Sequence, residues 1–238
     1  MRPAAAIGLV ALALVVHAVT IVRAVFTPGG IDLSFPQALS LVAWLTVLVA
    51  VLSGLLAKLP AVGTVVLPVA ALCALVPLAG GTPHRFAYAG ETWAAIHIAV
   101  ALVGYALFTV AALQALLLTG LEKRLHSGIA RPDTDGDVPL LTLERFLFQL
   151  VAAGFVLLTL TIASGLVFSE EVFGKPVTFS HKNLFSVLGW VTFGILLLGR
   201  WRYGWRGRPA LYWILAGTAL LVLGYLGSKF VAQVLLGR

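Results

Sequence analysis

Five imidazoles are the side chains of this sequence best suited to chemistry: His17, His84, His97, His126 and His181. An imidazole can ligate a metal, relay protons or bridge two helices, and its neighbours decide which. His97 has the most informative neighbours. It lies in E-T-W-A-A-I-H-I-A-V-A-L-V-G-Y at 91–105, an acid and a tryptophan followed by a lipid-compatible run with one histidine near its start. At helical spacing its face also carries Trp93, Ala101 and Gly104, an aromatic and then small residues that leave room for a flat ligand. Trp93 equally suits a belt position at a membrane surface.

Other chemistries find little support. The single cysteine, Cys73, excludes an intramolecular disulfide, a CxxC redox pair and a cysteine zinc cluster. There is no nucleotide-binding loop and no serine, histidine and acid arrangement, so hydrolysis and phosphoryl transfer have no residues to carry them. The stretch R-P-D-T-D-G-D at 131–137 has the acid spacing of a calcium loop but not its closing glutamate, and reads as a solvated loop.

The elements that must position the histidines are membrane helices. Of 238 residues, 61% are hydrophobic and 11% charged, and mean hydropathy is +1.04, far from the balance of a soluble domain. A bilayer core of roughly 30 Å takes about 20 apolar helical residues. Seven stretches qualify: Ala4 to Phe26, Pro36 to Ala57, Ala61 to Ala79, Thr92 to Leu121, Phe146 to Phe168, Asn183 to Gly199 and Ala210 to Leu236. Pro68 and Pro77 interrupt the third. The first follows Met1-Arg2 but is too long for a secretory signal and reads as a retained helix. The expected fold is all-α, a polytopic transmembrane bundle of about seven helices forming one domain over residues 1–238. Gly104, Gly120, Gly154, Gly165, Gly217, Gly224 and Gly227 allow close helix contact, and the G-x-x-G at 224–227 reads as packing.

The net charge of +7 would suit nucleic acid in a soluble protein, but in a membrane protein the placement of basic residues sets topology instead. R-W-R-Y-G-W-R-G-R at 200–208 holds four arginines and no acid, which puts it in the cytoplasm. Alternation then places the amino terminus inside, the carboxyl terminus outside, and Arg23, Arg85, Lys175, Lys182 and Lys229 as scattered cations on the outer side. His97 falls about five residues into an inward-running helix, roughly 8 Å below the outer edge. His17, His84 and His181 fall in the same outer half, and His126 alone is cytoplasmic. Ionisable groups inside a membrane are costly and mark a pathway or a ligand site. For His17 alone, an interhelical hydrogen bond is the simpler role. Zinc prefers a tight cluster, whereas haem takes one or two axial imidazoles from distant parts of a chain and an apolar, aromatic surround. Haem is the cofactor this pattern suits.

Three blocks of sequence extend the reading. They are H-I-x-x-x-L-x-x-Y-A at 97–106, V-P-L-L-T-L-E-R with G-F-V-L-L-T-L-T-I-A-S-G-L between 138 and 166, and H-K-N-L-F-S-V-L-G-W at 181–190 followed by G-W-R-G-R and L-G-Y-L-G-S. In this order they resemble the cytochrome c assembly and haem-handling membrane proteins related to CcsA and CcmC, in the HemX-like branch. The resemblance implies a multi-pass protein of the bacterial inner membrane that binds haem at its outer face and assists cytochrome c maturation. It implies partners among the lipid bilayer, the maturation components and apocytochrome c, with no nucleic acid and no enzymatic turnover. It carries His97 over as a family histidine and places His181 before the next inward helix. Where dedicated haem-presenting members have a W-x-W-D segment, this chain reads V-T-F-S-H-K, and L-G-S-K-F-V-A-Q-V-L-L-G lacks their second flanking histidine. The expected cofactor site is therefore His97, His181, His17 and Trp93, with His97 and His181 as iron ligands. Two other classes remain: a non-catalytic scaffold or regulator whose histidines only bridge helices, and a channel, which would need polar residues through the full membrane depth.

Overall fold

A computed structural model describes residues 3–27, 30–57, 62–79, 85–86, 92–126, 140–167 and 181–235. His84, the acidic loop at 131–137, and Glu91, Glu170, Glu171 and Lys175 lie outside them. The helices are α1 (Pro3–Val25), α2 (Phe35–Ala57), α3 (Val62–Leu75), α4 (Thr92–His126), α5 (Leu140–Val167), α6 (His181–Tyr203) and α7, which begins at Gly207. Among the described residues, six spans are long and apolar enough to cross a membrane. The exception is α3: it has 14 residues with Pro68 inside and ends in a 3-10 turn, Val76–Ala79, that contains Pro77. A proline lacks the amide that continues an α-helix, which accounts for the shortening. The chain is a polytopic all-helical membrane protein.

Two helices extend past the expected boundaries, one at its start and one at its end. α5 begins at Leu140, so Glu144 is helical rather than part of the preceding loop, and α6 runs on to Tyr203, so Arg200 is helical too. α7 is α-helical to Val222, then winds as π-helix over Leu223–Gly227 and Val231–Leu235 on either side of Ser228–Phe230. Three short strands, β1 (Phe26–Thr27), β2 (Gly30–Asp32) and β3 (Arg85–Phe86), pair antiparallel in the order β1-β2-β3. They pin the α1–α2 connection to the segment that follows α3, with Ile31 opposite Phe86.

α4 is the central helix, packing on α5, α2, α7 and α3. Lipid offers no hydrophobic drive between helices, so contact rests on close packing and internal hydrogen bonds. Phe108 of α4 and Phe193 of α6 stack fully buried, with centroids 4.0 Å apart. A glycine seats each ring: a Cβ at Gly154 of α5 would stand 3.0 Å from Phe108, and one at Gly217 of α7 only 2.8 Å from Phe193. Thr46, Thr109, Thr119, Thr159, Thr161 and Thr192 donate their hydroxyls to the carbonyl four residues back. That leaves these donors satisfied without water, as hydrocarbon requires.

Candidate functional site

α1, α3, α5 and α7 finish at one end of the bundle, where α2, α4 and α6 begin. This histidine end also carries the small sheet. The opposite end holds Arg200 and the turn between α6 and α7.

His97 lies in the second turn of α4, half-buried. Its Nδ1 is 2.8 Å from the Ser164 hydroxyl of α5, and that hydroxyl is 3.1 Å from the Thr161 carbonyl. A hydroxyl has one proton to give. When it is donated to Thr161, the Ser164 oxygen accepts from Nδ1–H, and when it is donated to Nδ1, the ring proton is on Nε2. The neighbouring Gly165 lets the imidazole lie against α5, since a Cβ there would stand 3.4 Å from His97 Cε1. A ligating histidine characteristically has its other ring nitrogen held by a hydrogen bond of this kind, so His97 is the residue here that could hold a metal-bearing group.

The other candidates are placed differently. His17 is bonded through Nε2 to the Ser40 hydroxyl at 2.9 Å, bridging α1 and α2. It lies on another side of α4 from His97: Ile98, about 100° further round the helix, packs on the cluster of Ile21, Val25 and Leu33 from α1 and the β2–α2 link, whereas His97 faces α5. The structure does not bring His17 and His97 onto one seam. Trp93 is 60% exposed at the start of α4. His181 is the first residue of α6, and the residue after it, Lys182, is within electrostatic reach of His97. Among the described residues, no three His, Cys, Asp or Glu side chains converge as a metal cluster.

Around His97 the fold assembles polar groups that the sequence showed only as scattered cations. Lys182 of α6 and Lys229 of α7 each place Nζ 5.3 Å from the centroid of the Tyr225 ring. Tyr225 packs at 5.4 Å on Tyr105, whose hydroxyl donates to the Leu221 carbonyl at 3.2 Å. Tyr105 is the tyrosine of the 97–106 block, two turns along α4 from His97. Lys229 Nζ donates to the Leu33 carbonyl, Gln233 accepts from the Phe35 amide, and Phe35 meets Phe230 edge-on at 5.5 Å. Asp32, buried beside them, accepts from the Ser34 amide at 2.9 Å. Gly224 admits the backbone of α7 to α6, since a Cβ there would stand 2.8 Å from Phe185 Cβ. The first link between helices thus clasps the last helix, a contact across some two hundred residues that no local pattern announces.

The long apolar helices, with polar side chains bonded between them at one end, define a multi-pass helical membrane protein. Its residues 8–236 match the family model described as cytochrome C assembly protein, and the chain belongs to that family. It is 30% identical over 230 residues to the inner membrane protein YpjD of Escherichia coli K12, covering 94% of this chain and 85% of that one. It is 38% identical to an uncharacterized 28.8 kDa protein of Azospirillum brasilense over 145 residues, 61% of this chain and 54% of that one. It is 27% identical to the cytochrome c biogenesis protein CcsA of Chlamydomonas reinhardtii over 146 residues, 60% of this chain and 39% of that one. No solved structure matches.

Proposed function

We propose that this protein binds haem at the histidine end of the bundle and assists cytochrome c biogenesis by holding or passing on the group, without catalytic turnover. The observation that carries the reading is an imidazole, His97, set into a membrane helix and held through Nδ1 by Ser164 of the neighbouring helix. Membership of the cytochrome c assembly family supports it. In this reading His97 supplies the axial nitrogen and Ser164 orients the ring. His181, at the head of the helix beside it, is the candidate for the second axial position. Bound haem would supply an iron centre whose ligation and redox state depend on those imidazoles.

The arginine-rich turn at the opposite end and the positive-inside rule orient the histidine end to the periplasm of a bacterial inner membrane, with the amino terminus cytoplasmic and the carboxyl terminus periplasmic. Maturation components or apocytochrome c are the partners this placement suits. The test is the visible spectrum of gently solubilised protein expressed with haem supplied, oxidised and reduced, beside His97→Ala. A Soret band in the wild type that is lost in the variant is expected; an identical band in both sinks the assignment.

A second reading has its own observation. Both His17 and His97 bond a serine of a neighbouring helix, as residues that merely bridge helices would. A scaffold or regulator of this kind would purify without Soret absorbance, take up no added haem and lose thermal stability on replacement of either histidine.

A further inference from the structure

The first two helices leave a hollow between them on the outside of the bundle. α1 packs chiefly on α2 and the first two strands, and most of its surface faces outward. Two hydrogen bonds hold the helix pair: His17 with the Ser40 hydroxyl, and the Trp44 indole N–H donating to the Leu14 carbonyl at 2.8 Å. Beside that seam lies an open groove of about 550 Å³, within the size range of small-molecule sites. Ala11, Leu14, Ala18 and Val22 line it from α1, at the spacing of one helix face, and Trp44 and Leu48 line it from α2. Ala11 and Ala18 bring only a methyl group each to a wall where a longer side chain would reach into the space. The surface is apolar throughout, so Arg23, the last α1 residue on the wall, gives the groove its side-chain stem and leaves the guanidinium beyond it. Arg23 is exposed and stands two residues before the end of α1, at the membrane boundary of the histidine end.

The length of the groove selects its occupant. Ala11 and Arg23 are about 18 Å apart along α1, whereas a whole bilayer core measures roughly 30 Å. The groove is therefore one leaflet deep. A membrane helix of a partner needs a track across the full core, and this one stops near the middle. A lipid tail ends near the middle as well, and its headgroup lies at the boundary where Arg23 stands. We propose that the α1–α2 groove binds one acyl chain of an anionic phospholipid from the leaflet at the histidine end, with the lipid phosphate on the Arg23 guanidinium. A guanidinium pairs with phosphate through two parallel hydrogen bonds. In a zwitterionic lipid the headgroup ammonium offsets that attraction, so the site discriminates by headgroup charge. It stands apart from the haem reading, because the groove belongs to α1 and α2 whereas His97 faces α5.

The test is native mass spectrometry of the full-length protein in detergent, titrated with phosphatidylglycerol or with phosphatidylcholine of the same acyl chains, reading the Kd of the first lipid retained. The wild type should bind phosphatidylglycerol about fivefold more tightly, the scale of one basic residue at an anionic surface. Arg23→Gln should bring the ratio to about one. Ala18→Phe, which puts a ring into the groove, should abolish the tight first binding of both lipids, and Ala11→Phe, at an exposed position that a fold tolerates, should do the same. Leu12→Phe, 61% exposed and off the groove, should bind as the wild type does. Equal first binding of the two lipids by the wild type, or an unchanged preference in Arg23→Gln, overturns the headgroup assignment. Wild-type binding in both alanine variants, or an equal loss in Leu12→Phe, overturns the groove as the site. A wild-type dimer that the alanine variants break would give the groove to a second copy of the chain and overturn the lipid.

Discussion

The two ends of the bundle treat charge in opposite ways. At the arginine end, Arg200 donates to Glu144 of α5 at 2.9 Å and to the Trp205 carbonyl at 3.0 Å, and its guanidinium lies 4.4 Å over the Phe148 ring. Gly204 and Gly207 have φ of 66° and 64°, the left-handed conformation that a tight turn between α6 and α7 requires. The Trp205 ring folds back onto Gly199, where a Cβ would stand 2.5 Å from it. Arg200 and Glu144 pair here and close a corner. At the histidine end, two lysines share one tyrosine, Asp32 accepts from a backbone amide, and the His97 imidazole is bonded through Nδ1 to Ser164 of the neighbouring helix. The first end is held by an ion pair and a tight turn, the second by cation–ring contacts and hydrogen bonds that link the first connection to the last helix.

That contrast can be broken from either side. The largest effect is expected from His97→Ala, which should remove the Soret band of haem-loaded protein while leaving the thermal unfolding midpoint in detergent nearly unchanged. A stable Soret band with a collapsed midpoint would mean the histidine end is structural like its opposite. Next comes Arg200→Ala, which deprives Glu144 of its partner and should cost about 2 kcal/mol, the scale of a hydrogen bond to a charged group, read as a lower unfolding midpoint with the same haem affinity. Loss of haem affinity in that variant would couple the two ends and weaken the distinction.

Smaller changes sharpen it. Ser164→Ala removes only the tether on His97 and should weaken haem affinity about tenfold with the axial ligand unchanged, as second-shell losses around a metal typically do. A spectrum and affinity equal to those of the wild type would show that the Nδ1 bond orients nothing. Smallest of all is Trp201→Ala. This side chain is 82% exposed beside the arginine corner, and its loss should shift stability by no more than about 0.5 kcal/mol in detergent and leave the Soret band alone. A larger shift would mean that the corner depends on more than the Arg200 and Trp205 contacts.

Much of this was legible in the sequence, for definite reasons. A span of some twenty apolar residues is a long signal, and each of the seven expected stretches holds a helix, the third cut short where Pro68 and Pro77 interrupt it. The single imidazole near the start of α4 stood out because polar residues are rare in such helices. What escaped has a common cause. The paired strands have two or three residues each, too few for alternation to register. The π turns carry no pattern of their own. Arg200 belongs to a run without acids that reads only as a cytoplasmic marker, but its partner Glu144 lies on another helix, ahead of the expected start of α5 at Phe146. Lys182 and Lys229 were visible only as cations on the side where the positive-inside rule expects few, and that mismatch was the one local hint of the cluster they form.

The central claim is that the His97 imidazole is an iron ligand rather than a helix bridge, and chemical rescue tests it most directly. In His97→Gly, the visible spectrum of haem-loaded protein would be recorded while free imidazole is titrated in. The account predicts a weak or absent Soret band that returns, in a saturable way, to the wild-type position as imidazole fills the vacated place. A variant whose spectrum already matches the wild type before any imidazole is added would contradict it.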